Sequence, residues 1–173
     1  MMRGRQIVWP ERKIAFFTVP KCASMSVAYT FQAAVGSDWK RWPVHMPEKP
    51  FIFADWKEFD RYAIVRNPIQ RFLSGHAFCK PDADIEELLE DVLETPDHAQ
   101  DQHFRSQASF LTTQSGVFLP NKLLKFEDLP GNWPLEWPLH HRNKTDKKLD
   151  LSEGLKSRLA ERFADDFALW EAL

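Results

Sequence analysis

The chain has 173 residues, of which 43% are hydrophobic and 28% charged, with a net charge of −2 at pH 7. These values predict one soluble domain spanning residues 1–173 and disfavour a generally basic nucleic-acid binder. Two cysteines are too few for a disulfide framework, the N-terminal segment lacks the apolar stretch of a signal peptide, and no run reaches the ~18 apolar residues of a membrane span. We therefore expect a cytoplasmic protein without a membrane span.

Strands and helices alternate along the predicted order of elements. Apolar runs rich in β-formers predict buried strands at 13–19, 61–65 and 122–126. Helices are predicted from Ser24, as N-cap, to Gly36 and from Pro68 onward, then after an Asp84 cap and from Ser152 to the C-terminus. This alternation predicts an α/β fold with a small central parallel sheet flanked by helices.

The turn after the first predicted strand has the features of an anion site. It lies within "VPKCASMS", residues 19–26, where a strand passes into a helix. Unpaired N–H groups and the helix dipole favour an anion at a helix start. Lys21 adds a charge and Ser24 and Ser26 add hydroxyl donors, so phosphate is the expected ligand; an ordinary βα turn with a solvent-facing lysine is the alternative.

Two known phosphate-binding motifs do not fit this turn. A Walker A loop requires glycines, and none lies between Phe16 and Val35. A cysteine phosphatase loop would need an arginine six residues after Cys22, where Ala28 stands. The Cys22 thiol is then either a reactive group beside Lys21 or a small packing residue.

The turn after the second predicted strand repeats this pattern in "VRNPIQRFLS", residues 65–74. Arg66 lies at the carboxyl end of the strand, where open α/β sheets bind ligands, and Ser74 follows in the next helix. An arginine there can hold a phosphate through two hydrogen bonds. Arg71 could hold a phosphate in the same way, but a surface ion pair is the favoured interpretation. Two such turns predict a ligand with two separate anionic groups.

The two turns together resemble those of sulfotransferases that use 3′-phosphoadenosine 5′-phosphosulfate (PAPS). "VPKCASMS" resembles their 5′-phosphosulfate loop, although Met25 stands where threonine is frequent. "VRNPIQRFLS" resembles their 3′-phosphate motif, R-[DN]-P-x-x-R-x-x-S. The similarity is to the carbohydrate-type branch, which includes the chondroitin, dermatan and HNK-1 sulfotransferases and bacterial relatives, and it implies a single P-loop-like domain.

Weaker similarities follow in the same order along nearly the whole chain. They comprise a histidine-bearing loop, an H-x-x-x-Q segment, a strand ending in glutamate, an asparagine-lysine loop and a final helix. The corresponding segments are "HMPEKPF", "HFRSQASFL", "LLKFEDL", "RNKTDKK" and "RFADDFALW".

The resemblance implies sulfuryl transfer from PAPS to a hydroxyl acceptor, which we expect to be a carbohydrate, without a metal. Lys21 would stabilise the leaving phosphate, and His45 would be the general base, with Glu48 and His103 as further candidates. Glu127 is expected to cap or pair structurally. The implied donor-binding residues are Lys21, Cys22, Ala23, Ser24, Met25, Ser26, Arg66, Ser74, Asn143 and Lys144.

Two other functions are compatible with the same features. An atypical nucleotide kinase could use the same strand–turn–helix anion sites, although the glycines of a Walker A loop are missing. A non-catalytic relative could keep the fold as a nucleotide- or glycan-binding module, although it would have no chemical need for Lys21, Arg66 and Ser74 together.

Overall fold

The computed structural model describes residues 5–36, 40–43, 56–140 and 151–173. Five strands form one sheet in the order β3-β1-β2-β4-β5. Their bounds are β1 Arg5–Trp9, β2 Ile14–Thr18, β3 Lys40–Pro43, β4 Asp60–Val65 and β5 Lys122–Lys125.

The parallel part of the sheet consists of the three strands that the sequence predicts. β2 runs parallel to β4, with Phe17 opposite Ala63, and β4 runs parallel to β5, with Val65 opposite Lys125. β1 and β3 add an antiparallel edge that the sequence analysis did not predict. The carboxyl ends of β2, β4 and β5 therefore meet along one edge of the sheet, and the predicted α/β class with a central parallel sheet is confirmed.

Seven α-helices accompany the described strands. They are α1 Ser24–Val35, α2 Pro68–Cys79, α3 Ile85–Glu94, α4 Gln107–Leu111, α5 Leu129–Asn132, α6 Glu153–Arg162 and α7 Ala164–Glu171. Among the described residues, no helix is both long enough and apolar enough to cross a bilayer.

Most predicted helix boundaries agree with the structure. Gly36 ends α1 at φ 59°, Pro68 opens α2, and Asp84 caps α3 by accepting hydrogen bonds from two backbone N–H groups. The prediction of Ser24 as N-cap is wrong. Ala23 occupies the cap position with a left-handed backbone, and no side chain caps this helix.

Two apolar clusters hold the fold together. One packs the apolar side chains of β1, β2 and β4 against α1. The other joins α2, α3 and α6 through Phe72, Leu88, Leu89 and Leu159. The predicted single C-terminal helix is two helices, because the chain leaves helical geometry at Phe163; α6 packs on α2 and α3, and α7 packs on α4.

Candidate functional site

The two predicted anion turns lie side by side at the carboxyl edge of the parallel strands. Lys21 lies in the turn after β2, and Arg66 directly follows β4. Because β2 and β4 are neighbours, the turns touch: the Nη1 atom of Arg66 donates to the backbone oxygen of Lys21 at 3.3 Å. Two cationic side chains from separate parts of the sequence are thus brought to one place.

The first turn has an unusual backbone. Lys21 and Ala23 have φ values of 69° and 58°, a left-handed conformation that non-glycine residues seldom adopt. The first helical hydrogen bond of α1 runs from Val27 N to Ala23 O, and no side chain caps the helix. The N–H groups of Ser24 and Met25 therefore precede the helical ladder, as an anion site at a helix start requires.

The Lys21 side chain is partly buried against an aromatic ring. Its Nζ atom lies 4.0 Å from the ring centroid of Phe78, whose side chain is 60% exposed. Burial lowers the pKa of Lys21 and the charge of Arg66 lowers it further, whereas Cys79 and Cys22 act in the opposite direction. Lys21 is a partly desolvated cation, and such a cation interacts more strongly with a nearby anion than one in water.

Cys22 is a buried structural residue. Its side chain is 1% exposed, its thiol donates to Gln107 Oε1 at 3.1 Å, and its N–H group donates to Val19 O. Burial raises the pKa of the Cys22 thiol to about 12. The thiol therefore stays protonated at neutral pH, and the packing interpretation of Cys22 holds over the reactive one.

Arg66 is partly buried and has unused hydrogen-bonding capacity. Its guanidinium lies 4.4 Å from the ring centroid of Phe126, and burial lowers its pKa. Among the residues that the structure describes, the buried Nε atom of Arg66 has no hydrogen-bond partner. A buried donor without a partner costs free energy, which an anionic ligand could recover. Ser74 is buried on α2, eight residues after Arg66.

Glu127 has the structural role expected of it. Its carboxylate accepts hydrogen bonds from the N–H group of Asn67 and from the indole of Trp170, both at 3.0 Å. It thereby fixes the residue that caps α2 and ties it to the C-terminal helix α7. Its negative charge also acts on Arg66.

The interpretation of Arg71 as a surface ion-pair residue is wrong. Arg71 is 2% exposed, and its guanidinium donates to three backbone oxygens: Arg105 O at 2.7 Å, Pro20 O at 3.0 Å and Gln102 O at 3.3 Å. The guanidinium thus uses its N–H donors for hydrogen bonds within the protein. Arg71 therefore clamps the first turn to α2 and to the segment before α4.

His103 contacts the same aromatic ring as Lys21. The rings of His103 and Phe78 have centroids 5.5 Å apart, and Nδ1 of His103 lies 2.8 Å from Oδ1 of Asp101. A carboxylate that accepts from Nδ1 fixes the imidazole tautomer and leaves Nε2 available as a base.

One group of metal-ligating side chains occurs among the described residues. Cys79, Asp101 and His103 each offer one donor atom, and these atoms lie within 4.8 Å of one another. Lys21 acts electrostatically on Cys79, and Lys80 acts on both Cys79 and Asp101. Their positive charge opposes a divalent cation at this position.

Four predicted site residues lie outside the described residues. They are His45, Glu48, Asn143 and Lys144. Of the other predicted groups, Lys21 of the first turn contacts Arg66 and shares the Phe78 ring with His103, and Ser74 is buried on α2.

Sequence reasoning missed two buried polar residues behind the turns. Gln107 and Asp166 are both 0% exposed. Gln107 bonds to both turns, and Asp166 accepts hydrogen bonds from Ser106 Oγ and from the N–H groups of Gln107 and Ala108 at 2.7–2.9 Å. Gln107 is the glutamine of the H-x-x-x-Q segment and Asp166 lies in the segment that resembles the final helix, but one sequence gives no sign of the contacts that either residue makes.

The chain was compared with known proteins by family, by sequence and by structure. Searches of curated proteins and of solved structures returned no match. The sequence model of the sulfotransferase family matches residues 5–135, three quarters of the chain and all five strands. That stretch contains both anion turns, Phe78, the Asp101–His103 pair and Gln107, and on this evidence the chain belongs to the sulfotransferase family.

Proposed function

We propose that the protein transfers a sulfuryl group from PAPS to a hydroxyl group of a carbohydrate acceptor. The observation that carries this proposal is the contact between Lys21 and Arg66, which follow neighbouring parallel strands and lie at one sheet edge within the region that matches the family. PAPS has an anionic group on each side of its ribose, and two adjacent cationic turns suit such a ligand.

The first turn is proposed to bind the 5′-phosphosulfate. Lys21 supplies charge, and Ala23, Ser24, Met25 and Ser26 surround the uncapped start of α1. Cys22 holds the turn in shape, since its thiol and its N–H group both bond within the protein.

The second turn is proposed to bind the 3′-phosphate. Arg66 supplies a partly buried guanidinium, and Ser74 lies on the helix that follows. Asn143 and Lys144 complete the proposed donor site by covering the nucleotide.

The proposed reaction is an in-line displacement at sulfur. The acceptor oxygen forms a bond to sulfur while the bond from sulfur to the 5′-phosphate oxygen breaks, and the acceptor proton passes to a general base. The products are a sulfate ester and adenosine 3′,5′-bisphosphate. Negative charge grows on the leaving phosphate oxygen, so a positioned Lys21 ammonium stabilises the transition state more than the ground state. The proposed reaction requires no metal ion.

The proposed base is one of His45, Glu48 and His103. His45 matches the family's loop histidine. His103 is supported by its hydrogen bond to Asp101 and by its position on the Phe78 ring that Lys21 also contacts. Phe78 is an exposed aromatic side chain that contacts both groups, and its apolar surface suits the apolar face of a sugar ring.

The function is tested by incubating the protein with PAPS carrying radiolabelled sulfate and a panel of glycans and small hydroxyl compounds. We expect label to pass to a carbohydrate, and Lys21→Ala to lower kcat by about 10²–10³-fold, the usual effect of removing one transition-state donor. Unchanged kcat with a raised KM for PAPS would assign Lys21 to binding alone.

Two results of this assay would overturn the proposal. Phosphate transfer from ATP to the same panel would favour a nucleotide kinase. Tight binding of adenosine 3′,5′-bisphosphate without transfer to any acceptor would favour a non-catalytic relative.

A further inference from the structure

The first turn is attached to Gln107 through one hydrogen bond. The Cys22 thiol donates to Oε1 of Gln107 at 3.1 Å, and both side chains are buried. Because Cys22 lies between Lys21 and Ala23, this bond holds the centre of the left-handed turn. The first turn therefore has a fixed point on α4, an element that belongs to neither turn.

The second turn is attached to the same amide through two hydrogen bonds. Arg66 N donates to Oε1 of Gln107 at 3.0 Å, and Nε2 of Gln107 donates to Arg66 O at 2.9 Å. The primary amide thus pairs with both backbone groups of Arg66, the residue that directly follows β4. One oxygen atom, Oε1, accepts from both turns at once.

Gln107 is itself held from the C-terminal end of the chain. Its N–H group donates to Asp166 Oδ2 at 2.8 Å, and the other carboxylate oxygen accepts from Ser106 and Ala108. Asp166 therefore fixes the start of α4 from α7. Gln107 is anchored at its backbone and uses its side chain to reach both turns.

We propose that Gln107 is a positioning residue that sets the spacing between the two anion turns and thereby the selectivity for a nucleotide with both a 3′- and a 5′-phosphate. This inference rests on the proposed function. A ligand with one phosphate can bind to one turn whatever the spacing, whereas a ligand with two phosphates needs both turns at a fixed separation. Preorganised spacing raises the affinity only of the second kind.

The experiment measures, by calorimetry, the dissociation constants of adenosine 3′,5′-bisphosphate and 5′-AMP for the wild type and for Gln107→Met. Methionine has a similar shape and removes all three side-chain bonds. We expect the preference for the bisphosphate over 5′-AMP to fall by about tenfold in Gln107→Met, while the Kd for 5′-AMP changes less than about threefold. If Gln107 had only a structural role, its substitution would lower the affinity for both nucleotides by a similar factor.

Gln100→Met is the matched control. Gln100 is also a buried glutamine, but its amide oxygen accepts from Asp101 N and it bonds to neither turn. We expect this variant to keep the wild-type preference. Should Gln107→Met fail to fold, Gln107→Glu is the second variant. Glutamate has the same shape and keeps the Oε1 acceptor, but it replaces the Nε2 donor by a carboxylate oxygen that faces Arg66 O. We expect the same loss of preference for the bisphosphate.

The inference is overturned if a folded Gln107 variant keeps the wild-type preference, or if Gln100→Met loses as much preference as Gln107→Met. A wild-type protein with no preference for the bisphosphate would instead overturn the proposed 3′-phosphate site. The two failures are therefore distinguishable from the same set of titrations.

Discussion

Lys21 differs from an ordinary surface lysine in both its backbone and its surroundings. Its φ of 69° is left-handed, and its ammonium group is partly buried over Phe78. Burial lowers the pKa of Lys21, and Arg66 adds to this effect. A lowered lysine pKa means that the ammonium loses its charge at a lower pH than a solvated lysine does.

The first prediction concerns alkaline pH. Activity that needs a charged Lys21 should decline on the alkaline side as the ammonium deprotonates, and in Lys21→Arg this decline should move to higher pH because a guanidinium keeps its proton. The measurement is the pH–rate profile of kcat. Lys57→Arg, at an exposed lysine, is the control and should leave the profile unchanged. An identical alkaline decline in Lys21→Arg would contradict the role of Lys21.

The second prediction concerns the general base. If His103 is the base, His103→Ala should lower kcat by about 10²–10⁴-fold while the affinity for adenosine 3′,5′-bisphosphate is unchanged, because the base contacts the acceptor and not the nucleotide. Asp101→Asn should show a smaller loss, since it disturbs only the orientation of the imidazole. Steady-state kinetics and calorimetry provide the two readouts.

The control for this prediction is His98→Ala, at an exposed histidine five residues earlier, which should keep full activity. A large loss in His45→Ala or Glu48→Ala together with an active His103→Ala would move the base to that residue.

The two helices that follow the anion turns begin in different ways. The Asn67 side chain caps α2 by accepting from Gln70 N, whereas α1 begins from the left-handed Ala23 without a side-chain cap. The uncapped start is the one beside Lys21. Arg71, on α2, holds that start in place through its bond to Pro20 O. The second turn's helix thus stabilises the first turn.

The third prediction tests this clamp. Arg71→Met should lower the free energy of unfolding by about 2–4 kcal/mol, because three backbone oxygens in partly buried hydrogen bonds lose their donor. Chemical denaturation measures the loss. Arg158→Met, which breaks an exposed ion pair with Glu90, should cost much less, because solvent screens an exposed pair. Equal losses in the two variants would show that the buried contacts of Arg71 add no stability.

The predictable elements are those whose signal is local. The apolar runs of β2 and β4, the Pro68 start of α2 and the Asp84 cap are each visible within a few residues. β1 is short and Pro10 follows it directly, and β3 itself ends in a proline, so neither has the pattern of a core strand. Both depend on tertiary pairing with the sheet.

The predictable part of the site is likewise the part next to the strands. Lys21 and Arg66 follow apolar runs, and that position alone identifies them as candidates. The roles of Arg71, Gln107 and Asp166 arise from partners 31 to 85 positions away in sequence, such as Pro20 O for Arg71 and Cys22 for Gln107. A charged or amide residue in a helix is usually solvated, so its sequence gives no sign of burial.

In the molecule as a whole, two cationic turns lie at one edge of the sheet and are fixed by hydrogen bonds to α4, which is in turn bonded to α7. β2 and β4 bring the turns together, Gln107 joins them, and α7 supports Gln107 through Asp166. Glu127 adds a second link from α7 to the start of α2. A site built in this way suits a rigid ligand with two anionic groups, which is the central claim of the account.

The most direct test is calorimetric titration of adenosine 3′,5′-bisphosphate and 5′-AMP into the wild type and Arg66→Ala. The account predicts that the wild type prefers the bisphosphate by about 1.5–3 kcal/mol, the contribution of a charge-assisted phosphate contact, and that Arg66→Ala loses most of this preference while its affinity for 5′-AMP is kept. Equal affinity of the wild type for the two nucleotides, or an undiminished preference in Arg66→Ala, would contradict a 3′-phosphate site at Arg66.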